Sequence, residues 1–336
     1  MAVGDLDGDG RLDVVTQLGV CTSRAPVGGG VGYHLAGPTL DQLSEARLVD
    51  LNGDGRLDVV ARPEQGSTLL TFLNVSDGQF TPGNVPLDGP PRQLRAGDFD
   101  GDGLGDVAFI EGQVQTDGER AGDAVSVLFG SQDPSRREVL RMGRFDFIDA
   151  IATGRTRDQP LSDIGLVTRS VVDPADPAGR YGISLLAGSA DRALRAPLLL
   201  NEYPVSVAAG RFLPETPPGQ QDITVLTVDS LADTTGRTPS LRIVSLLANG
   251  QLRAVPTVQA LPTEINSLPF FDGVGRNGKV FAGDLEGDGL DEVLLLDAPP
   301  SGTAAPAAEA RLRIAHPASG LSAALPELRL AVQFSA

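Results

Sequence analysis

A chain of 336 residues with 41% hydrophobic and 21% charged residues is too apolar to be disordered and is ordinary for a soluble fold. Its formal net charge of −17 excludes a basic surface for nucleic acid or an anionic membrane, and no run of ~18 apolar residues is present to span a bilayer. The 41 Gly and 25 Pro follow no collagen period and suit many short strands joined by turns.

The chain opens on Asp5-Leu6-Asp7-Gly8-Asp9-Gly10-Arg11-Leu12-Asp13, followed by the strand signal Val14-Val15. A second copy runs from Asp50 to Asp58 before Val59-Val60, with Asn52 supplying an amide oxygen in place of one carboxylate. The third, Asp98-Phe99-Asp100-Gly101-Asp102-Gly103-Leu104-Gly105-Asp106, shows the logic best. Asp98, Asp100 and Asp102 alternate with Phe99 and Gly101, so three carboxylates converge on one cation while Gly103 lets the backbone turn and Asp106 closes the site. A fourth copy, Asp284 to Glu292, puts Glu at its third and ninth places, and Asp291 offers a competing carboxylate one place early. Hard oxygen ligands at this density select Ca²⁺ over Zn²⁺, which favours His or Cys, and over Mg²⁺, which keeps more water. The four loops hold sixteen of the 44 acidic residues, Asp291 included, so outside them the chain is nearly neutral. Most of its acidity is ligand.

Two further copies keep the frame and lose the ligands. Ala152-Thr153-Gly154-Arg155 leads to Asp163-Ile164, and Ala208-Ala209-Gly210-Arg211 leads to Asp222-Ile223. The arrangement predicts either that each guanidinium replaces calcium as an internal cation, ion-paired with Asp163 or Asp222, or that each is an exposed arginine in a decayed loop. The six starts, at 5, 50, 98, 155, 211 and 284, are spaced like propeller blades rather than short solenoid coils. About 20 residues after each closing acid lies a buried-strand run such as Val125-Ser126-Val127-Leu128, Ile183-Ser184-Leu185-Leu186 or Val244-Ser245-Leu246-Leu247, with residues 311–316 in the last unit. A further strand-like run follows, as at residues 137–142 or 191–200, which gives four strands per unit. The expected fold is all-β: a β-propeller of four-stranded antiparallel blades forming a single domain over residues 1–336. Its units begin near 1, 46, 93, 150, 205 and 279. Residues 229–240, 261–278 and 299–310 read as loops, and residues 328–334 as a closing strand. The GxGxxG at residues 273–278 runs into a strand and not a helix, which excludes a dinucleotide site.

By these loops the sequence resembles the FG-GAP/VCBS repeat family, the calcium-dependent β-propellers of integrin α-subunit heads and of bacterial secreted or surface proteins. The resemblance implies ligands at the first, third, fifth and ninth places of each loop, with a backbone carbonyl from the seventh. Carried over, these are Asp5, Asp7, Asp9 and Asp13; Asp50, Asn52, Asp54 and Asp58; Asp98, Asp100, Asp102 and Asp106; and Asp284, Glu286, Asp288 and Glu292. The carbonyls are those of Arg11, Arg56, Leu104 and Leu290. About four Ca²⁺ sites follow, in a six-bladed ring, or a seven-bladed one if N-terminal sequence is missing.

Calcium in such loops is expected to be structural, and the function that of an extracellular binding, adhesion or scaffold module taking a protein or glycan ligand on a propeller face. The alternatives are an accessory propeller of a secreted or surface enzyme, and a carbohydrate-binding propeller, against which stand zero Trp and three Tyr. Catalysis is not expected. His34 and His316 are the only histidines, His34 reads as a strand residue, no GxSxG occurs, and Cys21 reads as a lone loop cysteine that forms no intrachain disulfide. Weak calcium loops point to an extracellular, cell-surface or periplasmic location. The segment after Met1 does not resemble a signal peptide, so either an export signal has been removed or the chain is a piece of a longer protein. One Lys against twenty-six Arg indicates a GC-rich bacterial genome, which gives the sequon Asn74-Val75-Ser76 little weight.

Overall fold

The computed structural model describes residues 2–16, 19–24, 32–36, 43–76, 79–114, 120–133, 137–156, 159–170, 180–190, 198–199, 203–228, 239–246, 252–253, 258–260, 278–297, 309–315 and 327–331. Among these residues there is no helix. The strands form six antiparallel sheets, each a meander in chain order. The first contains β1 (Ala2–Gly4), β2 (Asp13–Thr16), β3 (Gly19–Arg24) and β4 (Gly32–Ala36). The second contains β5 (Leu43–Val49), β6 (Asp58–Pro63), β7 (Thr68–Ser76) and β8 (Gln79–Pro86). The third contains β9 (Pro91–Gly97), β10 (Asp106–Val114), β11 (Arg120–Leu128) and β12 (Val139–Phe145). The fourth contains β13 (Phe147–Gly154), β14 (Asp163–Ser170), β15 (Arg180–Leu186) and β16 (Leu198–Leu199). In the fifth, β17 (Tyr203–Gly210), β18 (Asp222–Val228) and β19 (Pro239–Leu246) lie in order, and both β20 (Leu252–Arg253) and β21 (Val258–Ala260) pair with β19. The sixth contains β22 (Gly278–Gly283), β23 (Glu292–Asp297), β24 (Glu309–Ala315) and β25 (Glu327–Ala331). These are propeller-type blades, as the sequence predicts. The fifth carries one short strand more than the expected four.

The chain divides into two compact units, residues 1–146 with 188–193, and residues 147–187 with 194–336. In the first unit β5 lies beside β1 and β9; in the second β17 lies beside β13 and β22. Sheets stacked in this way bury their middle strands on both faces, so β6 begins with four consecutive buried residues. The outermost strand β8 is mostly exposed, and its Pro82 and Pro86 suit an edge where no ladder N–H is needed.

The cores lie between neighbouring sheets. Leu6, Val15, Val20, Leu43, Val59 and Phe72 join the first sheet to the second. Val49, Leu51, Leu69, Leu94, Phe109 and Leu128 join the second to the third. In the second unit Val167, Ile183, Val207, Ile223 and Val225 join the fourth to the fifth. Burying each such side chain contributes about 1.5–3 kcal/mol. The apolar second places of four loops are buried, Leu6 and Leu51 within these seams, with Phe99 and Phe212 likewise at most 3% exposed, whereas Leu285 is 55% exposed.

Two expectations change at this level. Cys21 lies in β3 and not in a loop, and its cross-strand partners are Val14 and Leu35. Its neighbour Thr22, not Cys21, is the register partner of His34, which does lie in a strand. Asn74 of the sequon is fully buried, and its Nδ2 donates to Leu6 O at 2.6 Å and to Leu57 O at 3.3 Å, so this amide is a bridge between loops and not a surface acceptor. Residues 229–238, 261–277, 299–308 and 332–336, together with His316, lie outside the described residues.

Close approach of sheets fixes Gly130, where a Cβ would stand 2.7 Å from Gly105 O, 2.8 Å from Leu104 Cβ and 2.9 Å from Leu51 O. Two of these neighbours are backbone and cannot step aside. Gly130→Ala is expected to destabilise the fold by about 1–3 kcal/mol, read as a lower denaturation midpoint with an unchanged slope.

Candidate metal centres

Each intact loop is folded around its own first aspartate. Asp5 Oδ1 accepts the Gly8 N–H at 2.8 Å, and Oδ2 accepts the Gly10 N–H at 2.9 Å. Asp50 does the same with Gly53 and Gly55 at 2.7 and 2.9 Å, Asp98 with Gly101 and Gly103 at 2.7 and 3.2 Å, and Asp284 with Gly287 and Gly289 at 2.6 and 2.9 Å. The glycines at the fourth and sixth places have φ between +74° and +84°, a region closed to most side chains, which is why the sequence spells Gly at both. The fifth-place carboxylates cap the seventh residue: Asp9, Asp54, Asp102 and Asp288 accept the N–H groups of Arg11, Arg56, Leu104 and Leu290 at 2.8–2.9 Å.

The closing acid has a duty of its own. Asp13 Oδ2 accepts the Leu6 N–H at 2.7 Å and Oδ1 the Ser23 N–H at 2.7 Å. Asp58 likewise takes Leu51 and Asn74 at 3.0 and 2.8 Å, and Asp106 takes Phe99 and Gly130 at 2.8 and 2.8 Å. Glu292 Oε2 accepts the Leu285 N–H at 2.7 Å. These acids are at most 4% exposed and tie the loop to the strands behind it.

Convergence of the carboxylates follows. Oxygens of Asp5, Asp7 and Asp13 lie within 4.8 Å of one another, as do those of Asp98, Asp100 and Asp106. Asp9 and Asp102 fall outside these two sets, and Asp9 also pairs with the Arg11 guanidinium. In the second loop Asn52 Oδ1 accepts the Asp54 N–H at 3.1 Å, the position that Asp7 and Asp100 hold in theirs at 3.2 and 3.3 Å. In the fourth, Asp284 keeps the same turn, while Glu286 and Glu292 join no such set among the described residues. Burial pushes Asp106 up to about 7, with the charges of Asp100 and Asp98 adding and the N–H groups of Gly130 and Phe99 opposing. Burial likewise raises Asp58 to about 6, reinforced by Asp54 and Asp50. Asp98 and Asp7 are raised too, by burial first and then by their acidic neighbours. Crowded, partly desolvated carboxylates of this kind fit a hard divalent cation, whose charge removes the conflict.

The two arginine loops depart from the expected ion pairs. Arg155 Nε donates to Gln159 O at 3.1 Å, and Arg211 Nε donates to Thr216 O at 2.8 Å, so each guanidinium caps a carbonyl of its own loop. Neither is ion-paired with the closing acid. Asp163 instead accepts the Thr156 N–H and hydroxyl, and Asp222 accepts the Phe212 N–H at 3.2 Å and the Thr216 hydroxyl at 2.8 and 2.9 Å. Both acids are 0% exposed, and taking a guanidinium to that depth costs several kcal/mol of desolvation that a threonine hydroxyl avoids.

Asp291 is also reassigned. It does not compete with Glu292; its Oδ2 accepts the Arg211 N–H at 2.6 Å while its own N–H donates to Arg211 O at 2.7 Å. Gln221 clamps Arg155 identically, at 3.1 and 2.7 Å. Sequence reasoning also missed Glu111, which is buried and accepts from the N–H groups of Asp88 and Gly89, the Ser126 hydroxyl and Arg141. The signal was there, an acid inside the apolar run of β10.

With this geometry in hand, the chain compares with known proteins as follows. No curated protein matches it in sequence. Among solved structures it is similar to BBS1N, crystallised with ARL6DN and soaked with lead, at 12% identity and a TM-score of 0.38, covering 81% of this chain and 78% of that one. It is similar to an ACO/RPE65 chimera at 11% identity and a TM-score of 0.46, covering 98% and 71%. It is also similar to the V. cholerae biofilm matrix protein Bap1 at 14% identity and a TM-score of 0.29, covering 98% of this chain and 61% of that one. A family model matches residues 50–109, the stretch from the second metal loop through the third. Residues 50–109 are thus similar to an FG-GAP-like repeat.

Proposed function

We propose that the chain is a calcium-binding β-propeller in which all six sheets are FG-GAP-like blades of one domain, the loops starting at Asp5, Asp50, Asp98 and Asp284 holding structural Ca²⁺. The observation that carries this reading is the convergence of Asp98, Asp100 and Asp106 around a buried carboxylate pushed up to about 7. The ligands of the four loops would be the carboxylate and amide oxygens at the first, third, fifth and ninth places, with the seventh carbonyl. The ion supplies charge neutralisation and nothing else. Within each unit the metal or arginine loops all join the first strand to the second, so they lie along one edge of the stacked sheets. That edge is the surface we assign to a protein or glycan partner outside the cytoplasm, in a binding, adhesion or scaffold role without catalysis.

Metal removal is the direct test. With free calcium about tenfold above each Kd, linkage gives on the order of 1.4 kcal/mol per site, so excess EGTA at pH 7.5 should lower the melting temperature markedly and calcium should restore it. An unchanged melt overturns the structural-calcium reading.

The raised acids fix the sign of the pH response. Between pH 4 and about 7 the metal-free folded protein holds protons on Asp58 and Asp106 that the unfolded chain has released, so its stability falls as pH rises through that window. Calcium competes with those protons and binds more tightly as pH rises. Dialysed, metal-free protein should therefore melt higher at pH 5.5 than at pH 8, and millimolar calcium should reverse the order.

The two duties of the acids are separable. Asp98→Ala should remove one ion, counted by native mass spectrometry, and lower stability more with calcium present than without it, where only the hydrogen bonds to Gly101 and Gly103 are lost. Asp163→Ala, which strips the buried tie of a loop that holds no metal, should destabilise by about 1–3 kcal/mol with or without chelator.

A further inference from the structure

The second and third metal loops meet through contacts that all run to close neighbours of Asp106. Gly105, one place before it, donates its N–H to Asp50 O at 2.7 Å. Gly130 holds Asp106 Oδ1 at 2.8 Å, and the next residue, Ser131, donates to Leu51 O at 2.8 Å. Leu104, two places before Asp106, packs so tightly over Gly53 that a Cβ there would lie 2.6 Å from Leu104 Cδ2. The first, second and fourth places of one loop are therefore held by groups whose position follows the closing acid of the next. The strut is a feature of the repeat, since Gln221 N–H to Arg155 O and Asp291 N–H to Arg211 O repeat it at 2.7 Å.

We infer that calcium occupancy of the third loop raises the calcium affinity of the second, and the reverse, through the Gly105 and Ser131 struts. This rests on the reading of both loops as calcium sites. Without an ion, the charges of Asp98 and Asp100 repel Asp106, which leaves it and the backbone it ties through Gly130 less firmly held. An ion fixes Asp106, which fixes Gly105 and Ser131, which in turn hold Asp50 and Leu51 in place. The second ion then meets a loop whose ordering cost has already been met. Charge acts the other way, because a filled loop attracts a second cation less than an empty one. That opposing effect is screened over ~8 Å at physiological ionic strength, whereas the struts are insensitive to salt.

The test uses the full chain carrying Asp5→Ala and Asp284→Ala, so that only the second and third loops bind, with calcium titrated by calorimetry at 0.15 and 0.5 M salt. Adding Asp98→Ala isolates the second loop, and adding Asp50→Ala isolates the third. Coupling predicts that each isolated loop binds about 5- to 10-fold more weakly than in the pair, by the same factor in both directions, and that the factor grows with salt. Gly105→Ala in the two-loop protein removes no ligand group. Its Cβ would stand 2.1 Å from Val49 Cγ2, displacing the strut, and both loops should fall to their isolated affinities. Circular dichroism on each variant separates loss of fold from loss of coupling. Two ions bound with the affinities of the isolated loops, or coupling that survives Gly105→Ala, overturns the inference and leaves the calcium reading intact. Failure of the unsubstituted chain to bind calcium at millimolar concentration overturns both.

Discussion

The interaction on which the blades depend is the hydrogen bond from the second loop residue to the closing acid. It is made by all six loops: Leu6, Leu51, Phe99, Thr156, Phe212 and Leu285 donate their N–H groups to Asp13, Asp58, Asp106, Asp163, Asp222 and Glu292. In five of the six it sets the position of a buried residue, Leu285 being the exposed exception, and in doing so it joins loop geometry to core packing. A buried carboxylate left without those donors would face the full desolvation penalty. With them it is stable, and the loop can then carry or dispense with a metal.

That separation explains how two loops have shed their ligands without losing the blade. In the first three loops the acids crowd one another, and burial with the neighbouring charges raises Asp7, Asp58, Asp98 and Asp106 above the ordinary aspartate value. In the loops of Arg155 and Arg211 the closing acid is satisfied by a threonine, and the arginine caps a carbonyl of its own loop, Arg211 also reaching Gly289 O. Charge neutralisation by a cation is needed where carboxylates converge. Where they do not, hydrogen bonding to neutral groups is sufficient, and a guanidinium has no reason to descend to the buried acid.

Backbone struts from Gly105, Gln221 and Asp291, each the residue before a closing acid, reach the preceding loop, and the residue there is tuned to the space it has. Gly105 has none to spare against Val49 and Asp50, whereas Gln221 and Asp291 reach back with their side chains to hold the N–H of the preceding loop. A loop is therefore a member of a row, and what happens at one closing acid is felt at the next.

The sequence by itself determined the strands and the loops between them, because both are written locally. Alternating oxygens over nine residues, Gly at the two places with positive φ, and Val-rich runs on either side leave one backbone path open. The same reading failed wherever a partner comes from a neighbouring sheet. Asp291 looked like a ligand until the Arg211 backbone, 80 residues earlier, was found to occupy it; Asn74 looked like a surface sequon until Leu6 O, 68 residues away, claimed its amide. Arg155 and Arg211 looked like partners for Asp163 and Asp222 because the spacing allowed it. Burial decided otherwise, since the cost of desolvating a charge depends on depth, and depth exists only once the sheets have stacked.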